Sequence, residues 1–200
     1  MTAADSGRTK QELSAAILQT AHHLFNVHGV ECVSMHQIAK SAGIGQGTLY
    51  RRYANKGDLC MDVMKDSFER FSEDIEQQLK AMGDRTVQDR LYNVVCNVIQ
   101  FLETKSRFLG VMHASQLNDV QKTDFFESPP YHFIHGAICS LLKEAAEHEL
   151  AYSIDPSYVA HSYISVMSPH THMHLRTRCG YSLAEVQEQF RLTHIAPLFK

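Results

Sequence analysis

The chain has 200 residues, enough to bury a sizeable core in one large domain or two small ones, and its formal net charge of −3 gives no overall sign of nucleic-acid binding. No apolar run is long enough to span a bilayer and no signal-peptide core opens the chain, which argues against a membrane or secreted protein. Five scattered cysteines (Cys32, Cys60, Cys96, Cys139, Cys179) with no C-x-x-C pair exclude a disulfide framework and fit a reducing cytoplasm.

Residues 1–8 read as disordered. The first predicted helix runs from Lys10 to His28, with Leu13, Ile17, Ala21, Leu24 and Phe25 on one face, and Gly29 ends it. Ser34 then begins a second helix. Gln37 completes a Ser-x-x-Gln capping box, and Met35, Ile38, Ala39 and Ala42 follow at helical spacing. Gly43-Ile44-Gly45 breaks this helix, and Ile44 is the one large apolar residue available to plug the angle. A third helix runs from Gln46 to Tyr53. Two short helices joined by a glycine-bearing turn form a helix-turn-helix, whose second helix suits the DNA major groove.

The side chains on that second helix fit DNA. Gln46 and Thr48 lie in its first turn, where base edges are reached; Gln pairs with adenine bidentately and Thr bonds a base or a phosphate. Tyr50, Arg51, Arg52 and Tyr53 carry the hydroxyl and guanidinium donors that grip phosphates. Lys56 sits where the next helix begins, so its ammonium and the free amides of that helix start could share one phosphate. Gly47 permits close approach of a backbone, of helix or phosphate. The plainer readings are packing for Tyr50 and Tyr53 and ordinary solvated charge for the arginines. Residues 1–56 hold six Lys/Arg and three Asp/Glu, whereas the remainder holds 13 and 19. A mildly cationic head on an acidic body suits a DNA-binding domain joined to a regulatory one.

The run AGIGQGTLYRRYANKGDL resembles the signature of the tetracycline-repressor (TetR) family of bacterial regulators. The shared pattern is Ala42-Gly43-Ile44 in the turn, then Thr48-Leu49-Tyr50, the aromatic Tyr53, Lys56 and Leu59. Gly45 departs from the Ser or Thr usual there, though glycine is an acceptable N-cap, and Tyr53 stands where Phe is frequent. The resemblance covers about the first 60 residues. It implies an N-terminal DNA-binding domain over residues 1–55, touching DNA through Ser34, Gln46, Gly47, Thr48, Tyr50, Arg51, Arg52, Tyr53 and Lys56. A helical effector-binding and dimerisation domain would occupy residues 56–200.

The remaining residues read as helix almost throughout, an all-α chain of about nine helices. The fourth runs from Lys56 to Ala81 and is the natural link between head and body. The fifth runs from Val87 to Lys105 and a short sixth from Arg107 to Leu117. A polar, turn-prone segment spans Asn118 to Ser128. Pro129 and Pro130 open the seventh helix, which reaches Leu150, and Asp155-Pro156 opens the eighth. The eighth continues to Cys179 with a kink or interruption at Pro169, and the box Ser182-x-x-Glu185 starts the ninth.

The last two helices form an antiparallel pair that the resemblance implies is a homodimer interface. Tyr158, Tyr163, Val166, Met173, Leu183, Val186 and Phe190 are its candidates, closure of the monomer's own core being the alternative. The resemblance also implies an effector cavity between helices four and seven. Met64, Phe68, Phe71, Tyr92, Cys96, Phe101, Phe108, Met112, His113, Gln116, Phe133 and Ile134 are available there and suit an apolar or amphipathic molecule, or simply a core. His170 and His174 share a helical face at the i, i+4 spacing of a metal pair, without a carboxylate or Cys to complete a ligand set. No paired carboxylates, nucleophile elbow or phosphate loop point to an enzyme, and no cofactor is implied. The reading is a cytoplasmic homodimeric regulator, a repressor releasing a palindromic operator when effector binds. The alternatives are a metal- or thiol-responsive regulator of the same fold and, less favoured, an enzyme.

Overall fold

A computed structural model describes residues 9–117 and 125–200, and of residues 113–117 and 125 the backbone alone; the segment 1–8, expected to be disordered, lies outside them. Nine α-helices occur among the described residues: α1 Lys10–His28, α2 Met35–Ser41, α3 Gln46–Tyr50, α4 Lys56–Ala81, α5 Val87–Leu117, α6 Pro129–Glu147, α7 Pro156–Val166, α8 Pro169–Thr177 and α9 Leu183–Phe190. The chain is all-α. Among the described residues the one extended contact is an isolated antiparallel bridge between Ala151 and Phe199, which ties residue 199 to the α6–α7 connection.

The helix starts follow their capping chemistry. Ser34 Oγ accepts from Gln37 N at 3.2 Å, and Gln37 Oε1 accepts in return from Ser34 N at 2.7 Å. Ser182 and Glu185 repeat this reciprocal pair at α9. Pro129, Pro156 and Pro169 stand in the first turns of α6, α7 and α8, where the missing amide costs nothing. Pro169 therefore interrupts the expected eighth helix outright. The expected break between the fifth and sixth helices is absent, and α5 is continuous from Val87 to Leu117. Lys105-Ser106-Arg107 contains no residue that forbids helix, and a single Gly110 costs only about 1 kcal/mol. The first turn-like stretch after α3 ends that helix at Tyr50, short of Tyr53. A π-turn, Arg191–Ile195, extends α9.

The chain packs as two compact units. The first takes in residues 9–67 and 107–117 of those described, and the second Phe68–Ser106 with 125–200. The head thus extends past residue 55 into the first part of α4 and draws in the end of α5. Its core holds Ile17, Ala21, Phe25, Ile38, Leu49 and Leu59, with Phe108 and Met112 packed against it. Phe108 meets Phe25 edge-on at 5.7 Å between ring centres. These two candidate effector residues are therefore part of the head's own packing, because the helix that carries them does not break at Ser106. The ammonium of Lys56 closes the α1–α2 connection. Its Nζ donates to the carbonyls of Val30 at 2.9 Å, Glu31 at 3.3 Å and Val33 at 3.0 Å.

In the second unit, Phe68, Phe71, Phe101 and Phe133 form one aromatic cluster of edge-on and tilted rings, with the ring centres of Phe71 and Phe101 4.6 Å apart. Glu103 on α5 receives α8: Arg176 Nε and Nη2 each donate at 2.9 Å, and His172 Nε2 lies 2.7 Å away. An ionised carboxylate only accepts, so that imidazole nitrogen carries the hydrogen. Arg176, and after it His172, hold the Glu103 carboxyl at about 2 against the opposing effect of burial.

Two outcomes follow from these contacts. Lys56→Met keeps most of the aliphatic stem and removes the donors from three carbonyls; it lowers stability in urea unfolding by about 2 kcal/mol. Glu103→Gln lowers stability at neutral pH by about 1–2 kcal/mol, allowing for partial exposure. Because the folded carboxyl titrates near 2 rather than at its ordinary 4.5, this contribution is whole above the ordinary value and lost as pH falls through the folded one. Urea midpoints of wild type and variant therefore converge as pH drops from neutral toward 2.

Candidate nucleic-acid interface

The site is built on α2, the turn and α3. Ala42 N bonds Ile38 O at 2.9 Å and Gly43 N bonds Lys40 O at 3.2 Å, closing α2. Gly43 has φ +68°, a left-handed conformation that a side chain would strain even though nothing crowds its Cβ position. Ile44 N then returns to Ala39 O at 3.0 Å, and Ile44 itself is packed against the head core. Gly45 stands at the N-cap in extended conformation without a side-chain bond. Leu49, wholly buried, fixes the inner side of α3.

The outer side of α3 is accessible. Gln46, Gly47 and Tyr50 are exposed, Tyr50 to 49%, and Thr48 is half-buried. A Cβ placed on Gly47 would meet only the Arg51 guanidinium, at 3.9 Å, so the protein's own packing leaves room for a side chain there. Arg51 Nη2 donates to Thr48 Oγ1 at 2.9 Å, which lays the guanidinium along the helix surface. Arg52 is half-buried. The amide of Gln46 meets the Nδ1 side of His36, an exposed residue of α2. His36 was not among the residues singled out from the sequence; ten positions separate the two, and only the turn geometry joins them.

Three candidates have internal duties. Ser34 caps α2 with its hydroxyl. Tyr53 is buried, and its hydroxyl donates to Asp62 Oδ2 at 2.9 Å; burial first and this bond second raise the phenol above its ordinary value. Lys56 uses an ammonium with three hydrogens on three carbonyls. The structure thus brings Gln46, Gly47, Thr48, Tyr50 and Arg51 together on one open surface, while Tyr53 is buried and the half-buried Lys56 bonds loop carbonyls.

The candidates in the second unit divide likewise. Phe68, Phe71, Phe101 and Phe133 contact one another, Tyr92, Cys96 and Ile134 are half-buried, and Met64 is buried in the head-side part of α4. Burial, more than the neighbouring Cys96, pushes the Tyr92 phenol up to about 12. The side chains of His113 and Gln116 lie outside the described residues. Of the expected dimer residues, Tyr163 and Phe190 are occupied within the single chain: Phe190 is 5% exposed and meets Tyr163 edge-on at 5.0 Å. Leu183 and Val186 are half-buried, whereas Tyr158, Val166 and Met173 are exposed. His170 and His174 are exposed while His172 between them is buried against Glu103, and no group of three or more metal-type ligands occurs among the described residues.

Comparison with known proteins agrees with this geometry. Residues 17–62 match the family model for bacterial regulatory proteins of the tetR family. An HTH-type transcriptional regulator of Staphylococcus aureus (strain USA300) is 30% identical over 155 residues, which cover 72% of this chain and 83% of that protein. The transcriptional regulator FadR from Bacillus subtilis, solved with stearoyl-CoA, superposes with a TM-score of 0.61 at 16% identity, over 92% of this chain and 98% of its own. AibR, solved with isovaleryl coenzyme A and operator DNA, gives 0.61 at 18% identity, over 94% and 100%. At these identities the structures establish the fold. The helix-turn-helix, its exposed reading surface and the sequence relatives together make this chain a member of the TetR family of DNA-binding transcriptional regulators.

Proposed function

We propose that the protein is a homodimeric repressor that holds a palindromic operator and releases it when a small apolar or amphipathic molecule binds the second unit. The observation that carries the DNA role is the open first turn of α3, where Gln46 and Thr48 stand ready for base edges beside a side-chain-free Gly47. Phosphate contact falls to Tyr50 and Arg51, both exposed, with Ser34 and Arg52 at the flank. Lys56 and Tyr53 support the reading surface and touch DNA at most through donors they must share.

A single α3 reads few bases, so a second copy is needed for a long operator. Tyr158, Val166 and Met173 supply apolar surface for it, with Tyr158 72% exposed. Two structural relatives were solved with acyl-CoA molecules, which supports an amphipathic effector. Release is a matter of linkage: the effector must bind the DNA-incompetent state more tightly than the competent one. No helix among the described residues is long and apolar enough to cross a membrane, in keeping with action on DNA in the cytoplasm.

Gln46→Ala relaxes base preference at one position per half-site and costs about 1–3 kcal/mol on the preferred sequence. Selection of sites from random DNA checks this; an unchanged preference would transfer reading to Thr48 or to DNA shape. Tyr158→Asp puts charge into the proposed interface while its parent side chain lies mostly in solvent, so the monomer stays folded. Sedimentation should show a shift toward monomer, circular dichroism should stay unchanged, and operator affinity should fall with the dimer. A fully dimeric variant would put the interface on another surface.

A further inference from the structure

Gln46 is the candidate base reader, and its side chain does not stand alone. Its Nε2 meets Nδ1 of His36 across the turn. Both side chains are exposed on the open surface of the head. The residues that anchor them are not. Met35 and Ile38 of α2 are buried, and Leu49 of α3 is wholly so. The core therefore fixes the separation of the two backbones. The Ser34–Gln37 box fixes the helix turn that carries His36.

Hydrogen-bond chemistry gives this pair a direction. An amide nitrogen only donates, so Nδ1 accepts, and the imidazole is neutral with its hydrogen on Nε2. A glutamine amide has two N–H groups and one carbonyl oxygen. With one N–H on Nδ1, Gln46 keeps one donor and one acceptor for DNA. Adenine offers their complement in the major groove, an N7 acceptor beside an N6 donor, whereas guanine offers two acceptors. An amide free to turn over exchanges its donor and acceptor ends. Turned over, it sets donor against donor and acceptor against acceptor on adenine. An imidazole acceptor beside it admits one of the two orientations.

We propose that His36 is a positioning residue for base reading. Nδ1 holds the Gln46 N–H that points away from Oε1, so that Oε1 and the remaining N–H face adenine together. His36 acts through Gln46 and not on the base. The inference rests on the reading that Gln46 meets base edges, and it adds what selects the amide's orientation and which base follows. Holding the amide before DNA arrives also spares part of the ordering cost of binding.

The test is selection of sites from random DNA by the full chain, followed by affinities for the selected site and its single-base replacements. Gln46→Ala locates the base pair: wild type should prefer adenine over guanine there, and the variant should lose that preference. His36→Leu, which fills similar space without an acceptor, should lower the adenine-to-guanine affinity ratio at the same base pair by about fivefold or more. His36→Asn, whose Oδ1 is an acceptor at the δ position, should keep the preference. In the Gln46→Ala background, His36→Leu should leave the ratio unchanged. Residue 36 is exposed, so circular dichroism should be the same for all variants. A wild-type ratio in His36→Leu would overturn the inference, and a uniform loss of affinity beside it would mark a phosphate contact. A further change of ratio in the double variant, a loss in His36→Asn as complete as in His36→Leu, or a base other than adenine at that position would each overturn it as well. Failure of the underlying reading is distinct: Gln46→Ala then leaves every base preference unchanged, which removes Gln46 as a reader and the inference with it.

Discussion

The reading helix α3 has only five residues, far below the length at which an isolated helix persists in water. Its orientation therefore depends on burial of Leu49 in the head core and on the turn that precedes it. Everything the outer face offers to DNA is placed by that anchorage. Tyr53, three residues past α3, is buried and tied to Asp62, so the chain leaving the helix is held as firmly as the chain entering it. Lys56 adds a clamp on the α1–α2 connection through three carbonyls. A short helix held at both ends presents Gln46, Gly47 and Tyr50 without the entropy loss that a mobile loop would suffer on binding.

Two signature residues also have bonding partners within the head. Lysine and tyrosine beside a recognition helix suggest phosphate donors by chemistry alone. In this structure their hydrogen-bonding groups meet a carboxylate, for Tyr53, and loop carbonyls 23 to 26 residues distant in sequence, for Lys56. Such partners have no local sequence signal. The features that were legible are local ones: the Ser34–Gln37 and Ser182–Glu185 boxes, the proline starts, Gly29, and the glycine turn at residue 43. Each depends on a handful of neighbouring residues and a known backbone preference.

The illegible features depend on packing. The polar run Glu103-Thr104-Lys105-Ser106-Arg107 interrupts the apolar pattern and suggests two helices, yet nothing there forbids one, and α5 continues. Phe108 and Met112 follow that continuity into the head core rather than a cavity. Phe190 sits in register with Leu183 and Val186, as a partner-facing residue should, but the α9 face that carries it also faces Tyr163 of the same chain. Periodicity identifies an apolar face; it does not say which surface covers it. The four phenylalanines of the second unit illustrate the same limit, since aromatics that could line a pocket serve equally well to fill one.

The energetics of regulation are modest in scale. A tenfold change in operator affinity corresponds to about 1.4 kcal/mol. An effector shifts the balance only to the extent that it binds the DNA-competent and DNA-incompetent states differently, since equal binding to both shifts nothing. Helices α4 and α5 each contribute residues to both compact units, so a displacement of α4 in the second unit acts on a helix whose first turns belong to the head. The covalent continuity of α4 from Lys56 to Ala81 makes that coupling a property of one backbone, and the strength of the head's own core decides whether the helix carries the head with it or bends.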